Sequence, residues 1–177
     1  AHDDHFAGLP TLLTSARRIK YFATPLVRHS VIKKLSALMS VDERLFGELF
    51  EVRDLVAGRW NDCDGMEVMP LDSPHPVETT LFVFRVRDDD GYKSYAHWAD
   101  IVSLKVLRRL LGESPAKEVL PPDFWETVRE RYLTPATLKK IDAGGGMIHG
   151  EPLDFIDDRS EKIVLAHRAA AFAAEEL

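Results

Sequence analysis

Chemistry in this chain has to come from histidines and carboxylates, and two stretches bring them close together. The first is Gly144-Gly145-Gly146-Met147-Ile148-His149-Gly150-Glu151, which sets an imidazole and a carboxylate two residues apart behind three consecutive glycines. A glycine run lets the backbone approach a ligand closely or take positive φ, at an entropic cost that folding must offset. With His167 as a third donor, His149 and Glu151 supply two imidazoles and one carboxylate, the ligand set of non-haem iron oxygenases. These three are the candidate ligands for a divalent metal. The plainer reading of the loop is a flexible connector carrying an incidental histidine. It is not a phosphate loop, because no Gly-Lys-Ser/Thr follows the glycines.

The second stretch is His2-Asp3-Asp4-His5. A His-Asp pair suits metal phosphohydrolases that carry further histidines and aspartates along the helices that follow, and no such series is legible here. The cluster therefore reads as part of a flexible arm over residues 1–10, ahead of a single domain over 11–177. Cys63 fails as a nucleophile: Asp62 and Asp64 flank it, and two carboxylates oppose the thiolate. There is no nucleophile elbow and no dinucleotide fingerprint.

Charge gives a different signal. Six basic residues, Arg17, Arg18, Lys20, Arg28, Lys33 and Lys34, lie between His5 and Ser40 with no acidic residue among them. Between Asn61 and Asp100, nine acidic residues face three basic ones. The net charge of −6 argues against a globally basic nucleic-acid binder, but the basic group is a candidate partner surface. The expected partner is a protein or a second copy of the chain, with nucleic acid in second place. The lone cysteine excludes an intramolecular disulfide and favours a reducing compartment, so the expected location is the cytoplasm. No apolar run approaches the roughly 20 residues of a membrane span.

The elements that would position these groups follow from periodicity. Thr79–Arg87 alternates with period two, with Thr80, Phe82, Phe84 and Val86 expected to face the core. Asp88-Asp89-Asp90-Gly91 is a turn cluster, and Tyr92–His97 reads as the returning strand. Met66–Met69 offers a short additional strand. From Trp98 the period turns helical and stops at Gly112, with Lys105, Arg108 and Arg109 on the face away from the core.

Before the hairpin, three helices are expected: Thr11 to about Phe22, then Thr24-Pro25 to about Met39, then a third opened by the capping box Ser40-Val41-Asp42-Glu43 and running to Gly58. Three helices and a hairpin is also the order of a winged helix-turn-helix. The third helix is acidic, however, and would be repelled by phosphate. After Gly112, helices are expected at Asp123–Leu133, from Thr134-Pro135 to about Ala143, and over the alanine-rich Ser160–Leu177, whose small residues suit self-association.

The resulting expectation is an α+β fold: an N-terminal helical layer, a small antiparallel sheet built on one β-hairpin, and C-terminal helices. With no complete catalytic constellation, the leading functional expectation is a non-enzymatic binding or assembly domain. The alternative is a small metal-dependent enzyme, an oxygenase or hydrolase, using His149, Glu151 and His167.

Overall fold

The computed structural model describes residues 2–15, 18–113, 120–168 and 171. Its centre is a six-stranded mixed sheet, not a lone hairpin. The strands are β3 (Asn61–Cys63), β4 (Met66–Asp72), β5 (Thr80–Asp88), β6 (Gly91–His97), β7 (Leu138–Asp142) and β8 (Ile163–Ala166), paired in that order. From β3 to β6 the pairing is antiparallel, and β6, β7 and β8 run parallel. A second sheet pairs β1 (Ile19–Ala23) with β2 (Phe50–Asp54) in parallel. The described α-helices are α1 (Asp3–Phe6), α2 (Leu9–Ser15), α3 (Pro25–Met39), α4 (Phe46–Leu49), α5 (Leu104–Glu113) and α6 (Phe124–Tyr132).

The expected small antiparallel sheet with C-terminal helices is therefore corrected, and each miss has a local cause. The proline-started helix forms as Pro25–Met39, but Ser40 is its left-handed C-cap and not the opening of the next helix. Asp42 instead caps a 3-10 turn by accepting from the Arg44 N–H at 2.9 Å. The apolar period that looked helical then divides between α4 and β2. Phe46 and Phe50 stack in the core, while Ile19–Ala23 becomes strand by pairing with Phe50–Asp54. Residues 134–143 and 160–168 likewise yield β7 and β8. The far end of the expected last helix, residues 169–170 and 172–177, lies outside the described residues.

The hairpin is present, with both faces covered. Leu81 and Val83, expected to face away from the core, are among its most buried members and pack with Ala96, Trp98, Ile141, Val128 and Tyr132. Phe82 and Phe84 pack on the other face against Leu55, Cys63 and Val68. A strand buried on both sides loses the strict alternation that a half-solvated one shows.

The helix expected from Trp98 begins six residues later. The N–H groups that would open it have distant partners: Trp98 donates to Lys140 O (2.9 Å), Ile101 to Asp142 Oδ2 (3.1 Å), Val102 to Tyr132 Oη (3.2 Å) and Leu104 to Asp154 Oδ1 (3.2 Å). Trp98 Nε1 also donates to Tyr132 O at 2.8 Å. Residues 98–103 are thus pinned in an irregular path between β6 and α5. That path buries Asp100.

Candidate metal centre

Parallel strands end on the same side of a sheet, and here their carboxyl ends converge. Asp100 lies three residues beyond β6, Asp142 is the last residue of β7, and His167 is the first after β8. His75 comes from the connection between β4 and β5, on the same side because β4 runs in the direction of β6. α1 and the residue before it lie against this edge and bring His2, Asp4 and His5. Ligand sites in open α/β sheets form at such strand ends, where loops from remote parts of the chain meet.

Asp100 is the hub. It is 4% exposed, with His2 Nδ1 at 3.0 Å from its Oδ2. On its Oδ1 side stand His5 Nε2 at 3.2 Å and His167 Nδ1 at 3.6 Å. Burial pushes its carboxyl pKa up, but His5, His167, His2 and His75 together outweigh that and hold it below the ordinary aspartate value. His75 is buried, and Nε2 of its ring has no hydrogen-bond partner among the described residues. Its Nδ1 lies 3.3 Å from both the carbonyl oxygen and the amide nitrogen of Val77. In the tautomer that donates from Nδ1 to the carbonyl, the Nε2 lone pair is free, as in a metal-ligating histidine. Burial, set against the Val77 contact, lowers the pKa of His75 and favours its neutral form.

Three overlapping groups have ligand atoms within 4.8 Å of one another: His2, His75 and Asp100; Asp4, His5 and His167; and Asp100, Asp142, His149 and His167. Imidazole and carboxylate donors suit zinc and related divalent ions. A buried imidazole nitrogen with no hydrogen-bond partner among the described residues is able to serve as a ligand. The residues present fit a metal.

Of the three ligands expected from sequence, the structure brings two together. His149 Nδ1 is 3.0 Å and His167 Nδ1 3.2 Å from the carboxylate of Asp142, with the imidazole rings 4.7 Å apart. Glu151 instead caps the 3-10 turn Pro152–Phe155 in a reciprocal pair with Asp154. The last glycine of the loop, Gly150, has a geometric role. A Cβ on Gly150 would stand 2.5 Å from Asp142 O and 2.6 Å from Ile101 Cδ1, so the loop closes on β7 only with glycine there.

His2, Asp4, His5, His75 and Asp100 were missed. The first three fall in the stretch expected as a flexible arm, and Asp100 falls in the helix expected from Trp98. The further histidines and aspartates that a His-Asp pair calls for do exist, at strand ends and not along helices. As for the basic group, Lys20 pairs with Asp64 and Arg28 pairs bidentately with Asp54, while Arg18 and Lys33 are exposed. Lys34 lies on α3, and Arg17 lies outside the described residues.

The fold is similar to that of solved proteins of the metallo-β-lactamase fold. The metallo-β-lactamase fold protein YhfI from Bacillus subtilis matches 99% of this chain with a TM-score of 0.58 at 12% identity. The short form of human tRNase Z matches 94% with a TM-score of 0.52 at 16% identity. At such identities the likeness is one of fold. The chain spans 64% of the length of YhfI and 69% of that of the tRNase. No family model and no curated protein sequence matches it. The expectation of a non-enzymatic protein-binding domain gives way to this likeness in fold. Among the described residues no helix is long and apolar enough to cross a membrane.

Proposed function

We propose that this chain carries the metal centre of a divalent-metal-dependent hydrolase. The observation that supports it best is Asp100, a buried carboxylate with imidazoles on both oxygens. Its Oδ2 faces His2, and its Oδ1 faces His5 and His167. The residues that would hold divalent ions are His2, His75 and Asp100 in one group and Asp4, His5 and His167 in the next. Divalent ions bound there supply Lewis acidity and lower the pKa of water at the site. The chain's own contribution is to keep the buried Asp100 ionised through the histidines around it, to keep His75 neutral through burial, and to hold both donor groups at one strand edge. The name of the human fold neighbour, a tRNase, makes phosphodiesters the first substrate class to test.

Metal analysis together with hydrolysis of bis(p-nitrophenyl) phosphate tests this reading. The expected result is stoichiometric zinc or manganese, with turnover abolished by a chelator and restored by the metal. Folded protein that takes up no divalent ion from excess zinc, manganese or cobalt would sink it.

A further inference from the structure

Asp142 stands among the groups that could hold an ion, yet its carboxylate is already fully used. Oδ1 accepts from the Gly144 N–H at 2.9 Å and faces His167 Nδ1 at 3.2 Å. Oδ2 accepts from the Ile101 N–H at 3.1 Å and faces His149 Nδ1 at 3.0 Å. An ionised carboxylate offers about four lone-pair positions. Four donors from three parts of the chain fill them, on a residue with no exposed surface. Asp100 differs: imidazoles surround its carboxylate, and His75 Nε2 beside it has no partner among the described residues.

We propose that Asp142 is a positioning residue and not a metal ligand, and that it fixes His149 and His167 together as their Nδ1–H tautomers. A neutral imidazole protonated on Nδ1 carries its lone pair on Nε2, so one carboxylate sets the tautomer of two adjacent rings. The two backbone donors explain how Asp142 holds that role. The Ile101 N–H ties it to the segment carrying Asp100, and the Gly144 N–H to the loop carrying His149. Asp142 thereby sets the spacing of Asp100, His149 and His167 in one step. The consequence for metal affinity rests on the metal-centre reading above; the tautomers do not.

Long-range ¹H–¹⁵N correlation spectra of the metal-free protein at about pH 8, where free imidazole is neutral, test the assignment. His149→Gln and His167→Gln identify the signals. Both rings are expected as Nδ1–H in the wild type and should move towards the Nε2–H form in Asp142→Asn. Nε2–H signals in the wild type, or no change in Asp142→Asn, would overturn the proposal. The wild-type spectrum decides even if that variant fails to fold. In metal titrations, folded Asp142→Asn should keep the wild-type stoichiometry with affinity weakened about 10–100-fold, the usual effect of losing an outer partner. Complete loss of metal from folded Asp142→Asn would make it a ligand and end the proposal. A wild type that binds no metal defeats the metal-centre reading instead, and the tautomers still decide the role of Asp142.

Discussion

The two ends of the six-stranded sheet both carry aspartates, and they use them differently. At the hairpin end, Asp88, Asp89 and Asp90 surround Gly91 in solvent, and the hydrogen bond there is local, from the Asp89 N–H to Asp88 Oδ1 at 2.9 Å. At the other end, Asp100 and Asp142 are almost fully buried and between them meet His2, His5, His149 and His167, with His75 completing the first donor group. Residue type does not separate the two ends; connectivity does. A two-residue antiparallel turn brings only its own neighbours together and cannot enclose a carboxylate. Strands that end in parallel bring in segments far apart in sequence, and those segments exclude water.

The sharpest way to break this comparison is to neutralise one aspartate at each end. Asp100→Asn should remove metal and lower hydrolysis by more than the roughly 100-fold that losing an outer partner costs, whereas Asp89→Asn should leave both unchanged. Metal content and turnover measured side by side check this.

The next largest effect lies beneath the buried end. There Lys139, with no exposed surface, donates to Tyr132 O at 3.0 Å and forms an ion pair with the equally buried Asp158. Burial draws the pKa of Lys139 down despite that partner. Lys139→Met strands the carboxylate and should cost about 3–5 kcal/mol, read from the urea midpoint. A loss under 1 kcal/mol would mean that the pair is not closed off from water.

His97 gives the pH test. Burial, with Lys140 and His5 adding to it, lowers its pKa from 6.5 to about 4. Between those values the unfolded chain binds a proton that the folded chain refuses. Stability therefore falls as pH drops from 6.5 towards 4, and this residue contributes no slope above 6.5. The loss is on the order of 2 kcal/mol after allowance for partial exposure. His97→Gln should flatten that part of a stability–pH curve, and an unchanged curve would refute the assignment.

The smallest effect belongs at the exposed end. Arg85 forks onto Glu67 at 2.8 and 3.1 Å and lies over the Trp60 and Tyr92 rings. Arg85→Ala should cost about 1 kcal/mol or less, since solvent screens the pair. A loss equal to that of Lys139→Met would erase the distinction between the two ends.

Local signals were legible where partner and signal are neighbours in sequence. The period-two run, its Asp-Gly turn, the proline-started helix Pro25–Met39 and the apolar side of Phe124–Tyr132 could all be read directly. So could the glycine loop, and with it two of the imidazoles that the structure sets side by side. What could not be read is where a short apolar run finds its hydrogen-bond partner. Phe50–Asp54 and Leu138–Asp142 have side-chain spacings open to helix or strand, and pairing with Ile19–Ala23 and with β6 and β8 decides them. His2, His75 and Asp100 lie in three separate segments, each unremarkable by itself. Only the tertiary structure makes them one site, because burial and the ordering of strands in a sheet depend on contacts between residues far apart in the chain.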